Sequence, residues 1–239
     1  MARATTTPLY RRVYETLLER VIAGRWRPGT LLPSEIALGR ELGVSQGTAR
    51  KALMLLEEAG VVERRQGRGT FVATTTPERA LFHFFRLRRA DGRRVAPTLV
   101  TEHLTRRSPS PEEQTAFGAV AREGVFDLHR VRSVEGVPVV RERIVVPAVR
   151  FPELDGHGPL PNTLYALYQG HYGIAIVQAE EALTAVAADP ADTAALGVAP
   201  GTPLLQVARW ALDLSEQLVE LRLSRYALGD ELHYGVTLR

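Results

Sequence analysis

The chain has 239 residues, 45% of them hydrophobic, which is enough for one large domain or two modest ones. It contains no cysteine, and this excludes disulfide frameworks, cysteine nucleophiles and thiolate metal sites. The net charge of +3 is uneven: residues 1–75 carry 12 Lys and Arg against 7 Asp and Glu, whereas residues 76–239 carry 18 against 20. The resulting +5 in the first third suggests a polyanionic partner there, although a few exposed arginines would give the same balance by chance.

Signals for export, membrane insertion and metal binding are absent from the sequence. Residues 1–17 lack the apolar core of a signal peptide, and no run approaches the roughly 18 apolar residues of a membrane span. A soluble, cytoplasmic protein without membrane contact is therefore expected. No cofactor is predicted, and no metal either, because the histidines at positions 129, 157, 171 and 233 do not show metal-ligand spacing.

Three helices are predicted in the first third of the chain. The first runs from Pro8 to Ala23, since proline suits a helix start and apolar residues recur every four positions after it. The second begins after the capping residue Ser34 and ends at Gly43, and the third begins after the cap Ser45. Only two residues separate the second and third helices, which is typical of a helix-turn-helix.

A β-hairpin is predicted directly after the third helix. Residues 61–65 are rich in strand-forming types, residues 66–69 form a glycine-containing turn, and residues 70–72 return. Arginines in such a wing can contact phosphates or the minor groove, and its glycines let the backbone approach the duplex. The predicted DNA contacts of the wing are Arg64, Arg65, Gln66, Gly67, Arg68 and Gly69.

The third helix has an apolar face for burial and a polar, basic face near its N-terminus. In helix-turn-helix proteins this end enters the major groove, where Arg pairs with guanine, Gln with adenine, and Thr contacts a thymine methyl group or a phosphate. A solvated helix face is the alternative, but the basic wing that follows favours DNA binding. The predicted contacts of this helix are Gln46, Thr48, Arg50 and Lys51.

The segments PGTLLPSE, LGVS, TARKAL and RRQGRGTFV occur in order, without a gap, within residues 8–72. Together they resemble the winged helix-turn-helix domain of GntR-family bacterial transcription regulators. Gln46 stands where the family commonly has arginine, so an altered base preference is expected. Gly39 replaces the usual alanine, which costs the second helix up to about 1 kcal/mol unless packing needs the space. The resemblance implies DNA contacts from Ser34, Ser45, Thr48, Arg50 and the wing around Gln66 to Gly69.

The remainder of the chain is predicted to be an α+β domain with a mostly antiparallel sheet, because strands follow one another and the helices are set apart. Helices are expected at 163–172 and 190–196, and strands at 126–134, 137–147, 204–212 and 218–226, with a further strand-like stretch from 174. Residues 74–80 are small and polar, which is typical of a linker. The predicted organisation is a DNA-binding domain at 1–73, a linker at 74–80 and a second domain at 81–239.

The second domain carries HRVRSVEGVPVVRERIVVP, NTLYALYQGHYGI, LGVAPGTPLLQVARWALD and LVELRLSRYALGDELHYGV. These segments resemble the UTRA ligand-sensing domain of the HutC-type branch of the GntR family, which is similar to the chorismate lyase fold. The resemblance implies effector binding and dimerisation by residues 81–239. It also implies that Glu142, Glu220 and Tyr226 bind the ligand or orient arginines, with a half-buried core position as the alternative for Tyr226.

Two arginines are the centre of the predicted effector site. Arg130 and Arg132 alternate on a strand, so both side chains project from one face, and two guanidinium groups suit a carboxylate or phosphate. A cross-strand ion-pair ladder with Glu142 is the alternative. Thr163, at a helix start, adds a hydroxyl and the helix N-terminus. His83 is a further candidate, with a hydrophobic first strand as the alternative for its segment.

These features predict a ligand-responsive transcriptional regulator, most simply a repressor. It would bind double-stranded DNA at a palindromic operator as a homodimer and respond to a small anionic effector. An enzyme acting on a carboxylated small molecule is the alternative, given the lyase-like fold, although no pair of nucleophile and base is visible. An architectural DNA binder without sequence preference is a third possibility.

Overall fold

The computed structural model describes residues 8–74 and 86–235, and the chain divides into two compact units between Thr74 and Thr75. Residues 75–85, which contain His83 and all but one residue of the predicted linker, lie outside the described residues. Among the described residues, every helix is too short or too polar to cross a membrane.

In its described part, residues 8–74, the first unit consists of three helices followed by a two-stranded hairpin. Its apolar stripes meet in a small core in which Leu17, Leu38, Leu53 and Leu56 are fully buried. The predicted helices are thus confirmed, with the first one residue shorter at each end. The elements are α1 (Leu9–Ile22), α2 (Glu35–Leu42), α3 (Gln46–Glu58), β1 (Val62–Arg65) and β2 (Gly69–Val72).

The turn between α2 and α3 is fixed by serine caps and glycines. The Ser34 hydroxyl accepts a hydrogen bond from the Ala37 amide at 3.2 Å, and Gly43 ends α2 in the left-handed region with φ 67°. A Cβ atom on Gly39 would lie 2.9 Å from the Val44 carbonyl oxygen. A side chain at position 39 would therefore collide with the turn. The close packing of α2 against the turn explains why glycine is tolerated within this helix.

The wing is a regular antiparallel hairpin, with Val62 opposite Val72 and Arg65 opposite Gly69. Its turn spans residues 66–68, and Gly67 adopts φ 69°, which side-chain-bearing residues rarely adopt. The segment before α2 extends this sheet, because the Leu32 amide donates to the Thr70 carbonyl at 2.8 Å. The wing is thus anchored to the rest of the unit by backbone hydrogen bonds.

The second unit is built on a six-stranded antiparallel sheet with the order β4-β5-β6-β9-β8-β7. A separate two-stranded sheet pairs β3 with β10, the first and last described strands of the unit. The α+β fold is confirmed. The strands are β3 (Leu87–Arg89), β4 (Thr98–Arg107), β5 (Val125–Val134), β6 (Val137–Pro147), β7 (Ile176–Ala187), β8 (Pro203–Asp213), β9 (Leu218–Tyr226) and β10 (Leu232–Tyr234).

Among the described residues of this unit, three α-helices cover the large sheet. The main core packs the face of the sheet that carries Phe126 and Ile144 against Tyr165 and Tyr168. Smaller clusters around Phe117 and Leu196 fill the spaces under the other two helices. The three helices are α4 (Pro111–Phe117), α5 (Leu164–Tyr172) and α6 (Pro190–Leu196).

Some elements differ from the sequence-based expectation, among them the short strand β10, which was not predicted. Helix α4 was not predicted, although Ser110 and Glu113 form a reciprocal capping box around Pro111. The stretch from residue 174 continues as one long strand, β7, through an alanine-rich run, because its partner β8 supplies a backbone ladder along its whole length.

Candidate functional site

The N-terminal turn of α3 presents polar side chains next to the wing. Gln46 and Arg50 are both exposed, and the Gln46 amide nitrogen lies 3.4 Å from a carboxylate oxygen of Glu35 on α2. The same carboxylate accepts a hydrogen bond from Arg64 of the wing at 3.2 Å. Glu35 therefore connects the start of α3 with the wing and orients both predicted DNA-contacting groups.

Several predicted contacts on this surface also have structural roles. Ser45 accepts a hydrogen bond from the Thr48 amide at 3.1 Å, and the two hydroxyls lie 2.9 Å apart, so both residues define the helix start. Ser34 caps α2 in the same way. The Lys51 ammonium group lies 3.9 Å from the centre of the Tyr10 ring, a cation–π contact with α1. Lys51 thus joins two helices, a role that the sequence did not suggest.

The three wing arginines differ in how far they are engaged. Arg64 pairs with Glu35 and, at 3.2 Å, with Glu57. Arg65 donates to Glu63 at 2.9 Å and stacks over the Phe71 ring at 4.5 Å. Arg68 stands exposed at the tip beside Gln66 and Gly67. The wing therefore offers an exposed cation at its tip and two cations that are partly neutralised.

Gly69 has a local reason to be glycine. A Cβ atom there would lie 2.7 Å from a methyl carbon of Leu31, and its φ is 105°. The positive φ favours glycine at this position independently of DNA binding, and the role of the wing glycines in approaching the duplex stays a prediction.

In the second unit, four of the predicted effector residues belong to a buried charge cluster on one face of the sheet. Arg130 and Arg132 point to the same face, as expected from their spacing, and both are almost completely buried. They are paired with carboxylates, so the ion-pair ladder considered from the sequence is present. The buried charge cluster comprises Arg130, Arg132, Arg222, Glu102, Glu142 and Glu220.

Arg130 is held by the edge strand and a loop. Its Nε donates to Glu102 of β4 at 2.7 Å, and its Nη1 donates to the Pro161 carbonyl at 3.1 Å. The second terminal nitrogen, Nη2, also contacts the Glu102 carboxylate. Burial and the charge of Arg132 lower the pKa of Arg130, so this cation is poorly solvated and depends on its anionic partner.

Arg132 and Arg222 share the carboxylate of Glu142. The Arg132 Nε donates to Glu142 at 2.5 Å, and Arg222 and Ser224 approach its other oxygen at 3.4 Å. Burial raises the pKa of Glu142, but the charges of Arg132 and Arg222 outweigh burial and lower the pKa to about 2. Arg132 also donates to Asn162 through its terminal nitrogens.

Glu220 is enclosed by three donors. The hydroxyls of Tyr165 and Tyr168 donate to its two oxygens at 2.8 and 2.9 Å, and Arg222 donates to both. Burial first, and then the charge of Glu220, raise the pKa of both tyrosines, which therefore act as neutral donors. This end of the cluster is a fixed link between β9 and α5.

The other predicted effector residues lie in different surroundings. Thr163 is buried at the N-cap position of α5, but its side chain does not cap the helix. Tyr226 is buried in a hydrophobic cluster with Leu87 and Val207, and burial together with the charge of Glu142 raises its pKa to about 12. Tyr226 is thus part of the core beside the charge cluster. The remaining candidate, His83, lies outside the described residues.

Sequence reasoning missed the partners that complete the cluster. Arg222 lies two positions after Glu220 on β9, so strand alternation would have found it. Glu102 and Asn162 come from an edge strand and a loop far away in the sequence. Their pairing with Arg130 and Arg132 depends on sheet order, which the local pattern does not contain.

Comparison with known proteins assigns both units. Residues 9–72 match the family model described as bacterial regulatory proteins, gntR family, and residues 95–230 match the UTRA domain. The chain is 31% identical over 205 residues to the histidine utilization repressor of Pseudomonas putida, covering 84% of this chain and 81% of that protein. It is 28% identical over 206 residues to the HTH-type transcriptional repressor NagR of Bacillus subtilis, covering 84% and 83%.

A solved structure agrees with this assignment. PhnF from Mycobacterium smegmatis has a TM-score of 0.55 and 26% sequence identity, and the match covers 95% of this chain and 99% of that chain. The relatives with assigned functions are transcription regulators, and the enzyme alternative does not hold for this family. The winged unit, the charge cluster and these matches lead to one conclusion: the chain belongs to the GntR family of bacterial regulatory proteins, and it is a DNA-binding transcriptional regulator with a C-terminal UTRA effector-binding domain.

Proposed function

We propose that the protein is a cytoplasmic repressor that binds a palindromic operator as a homodimer and responds to a small anionic effector. The observation that carries the DNA-binding half is the clustering of Gln46, Arg50 and the wing in one compact unit. A two-fold protein requires a two-fold site, so each protomer would read one half-site. The relatives from Pseudomonas putida and Bacillus subtilis, both named as repressors, support repression.

The first turn of α3 is the part of the protein that would recognise DNA bases. Gln46 and Arg50 are four residues apart on a helix, which puts them on the same face one turn from each other. In the major groove, Gln46 would pair with adenine and Arg50 with guanine. Arg68 at the wing tip would contact a phosphate or the minor groove and contribute affinity without sequence preference.

Selection of binding sites from a random duplex pool tests this proposal. The wild-type protein and Gln46→Arg are each selected at two salt concentrations. We expect an enriched palindrome for both proteins, with adenine replaced by guanine at one position of each half-site for Gln46→Arg. Binding without an enriched motif, or binding that only weakens with salt, would instead favour an architectural DNA binder.

The effector half of the proposal rests on Arg130 and Arg132. Both guanidinium groups are buried on the same face, and a carboxylate or phosphate is the partner that such groups bind best. Sugar phosphates, carboxylic acids and phosphonates all fit this chemistry. Binding shifts an equilibrium only if the effector prefers one of two states, so the effector would favour the state with weak or with strong operator affinity.

A charge-preserving substitution tests the effector site. Arg132→Lys keeps the positive charge but loses the bidentate fork, whereas Arg143→Lys makes the same change on a partly exposed side chain elsewhere in the sheet. A panel of anionic metabolites is screened for an effect on operator binding. We expect Arg132→Lys to need at least about tenfold more effector with unchanged operator affinity, and Arg143→Lys to behave as wild type. Equal responses of both variants would place the effector elsewhere.

A further inference from the structure

The buried charge cluster is electrically balanced by its own side chains. It contains three guanidinium groups and three carboxylates. Arg130 pairs with Glu102, while Arg132 and Arg222 share Glu142, and Arg222 also pairs with Glu220. An added anion would therefore bring at least one uncompensated negative charge into a site that is buried from water, which is unfavourable unless a resident carboxylate moves away. The identity of that carboxylate follows from the contacts of each glutamate.

Two of the three carboxylates are locked in place. Glu142 and Glu220 have no exposed side-chain surface, and each is held by three donors from central strands or α5. Glu102 differs on both counts. It lies on the edge strand β4, and its side chain keeps 15% of its surface exposed. Glu102 is thus the one carboxylate of the cluster that can reach water by a side-chain rotation.

Glu102 also ties two backbone segments together. One of its oxygens accepts a hydrogen bond from the Leu160 amide at 2.9 Å, while the other binds Arg130. The adjacent Asn162 donates to the Pro97 carbonyl at 3.1 Å. Two hydrogen bonds therefore connect the loop before α5 with β4 and the segment that precedes it. The Glu102 carboxylate is the charged group among these contacts.

We propose that Glu102 is a built-in competitor for the anionic group of the effector. This inference rests on the proposed function, because it assigns the effector anion to Arg130. The carboxylate or phosphate of the effector takes the position of the Glu102 carboxylate on Arg130, and Glu102 turns outward. The same movement breaks the bond to the Leu160 amide, so effector binding releases the loop from β4. Glu102 thereby sets the affinity for the anion and connects binding to a backbone change.

The test compares Glu102→Gln with wild type, using inorganic phosphate and acetate as separate probes in titration calorimetry on the full chain at constant ionic strength. Glutamine keeps the shape and removes the competing charge. We expect phosphate, acetate or both to bind Glu102→Gln at least about tenfold more tightly than wild type. The probe with the larger gain identifies the class of the effector anion.

A matched control separates this mechanism from a general charge effect. Glu123→Gln removes the same charge from an open surface cleft that is also lined by Arg106 and Arg122. We expect its anion affinity to equal that of wild type. An equal gain in both variants, or no gain in Glu102→Gln, overturns the proposal. If Glu102→Gln does not fold, Glu102→Asp decides: its retracted carboxylate should raise anion affinity at least about threefold, and an unchanged affinity overturns the proposal.

Operator binding is measured in parallel, which distinguishes the two proposals. If the wild-type protein does not bind any DNA sequence specifically, the proposed repressor function is refuted, whatever the anion titrations show. A wild-type protein that binds its operator and responds to an anion, combined with no change in Glu102→Gln, would refute only the role of Glu102.

Discussion

Glu142 provides the sharpest energetic prediction, because two arginines hold its carboxylate in a fully buried position. Glu142→Gln removes the charge and keeps the shape. The pKa of about 2, against an ordinary value of 4.5, corresponds to about 3 kcal/mol of stabilisation at neutral pH. Since the folded-state pKa is depressed, this stabilisation is complete above pH 4.5 and is lost as the pH falls towards 2. The wild-type advantage should therefore be about 3 kcal/mol at about pH 6 and about 1 kcal/mol at about pH 3.

Urea denaturation followed by tryptophan fluorescence measures this difference. The chain has two tryptophans, Trp26 in the first unit and Trp210 on β8, so a Trp26→Phe background makes the signal specific for the second unit. Carboxylates outside the buried charge cluster titrate in the same way in both proteins and cancel in the comparison. A stability difference between wild type and Glu142→Gln that stays the same from about pH 6 to about pH 3 would refute the reasoning.

Three further predictions concern the remaining elements. Ser45→Ala removes the cap of α3, so we expect the first unit to lose about 1 kcal/mol of stability, measured by the Trp26 signal in a Trp210→Phe background, and operator binding to weaken. Asp192→Ala leaves Arg141 and Arg225 without their shared buried carboxylate, and we expect a loss of about 2 kcal/mol in the urea stability of the second unit. Arg68→Ala should lower affinity for all duplexes alike and reduce the slope of log affinity against log salt by about 1, as determined by fluorescence anisotropy.

The sequence predicted the first unit almost completely because its signals are local. Caps at Ser34 and Ser45, the glycine at 43 and the wing turn each lie within a few residues of the element they define. The contact of Lys51 is an exception that local signals did not predict. Its contact with the Tyr10 ring joins two helices that are distant in sequence, and a local pattern cannot distinguish such a lysine from a free one.

In the second unit, strand alternation identified the face of Arg130 and Arg132 but not their partners. The alternating pattern determines on which face a side chain lies, whereas strand order determines what it meets across the sheet. Glu102 joins Arg130 only because β4 pairs with β5. The structure shows the paired ladder, and an anion clamp formed by the same two arginines stays a prediction.

The pairing of β3 with β10 brings the entry and the end of the second unit side by side. The Gly235 amide donates to the Arg86 carbonyl at 2.8 Å, and both Arg86 and Tyr234 reach the Glu181 carboxylate. The two strands are antiparallel, and residues 86 and 235 lie at the same end of the pair. A force that pulls these two residues apart would therefore break the hydrogen bonds between the strands one after another. A pulling force on the C-terminal side of residue 235 would thus first separate β10 from β3, the first described strand of the second unit.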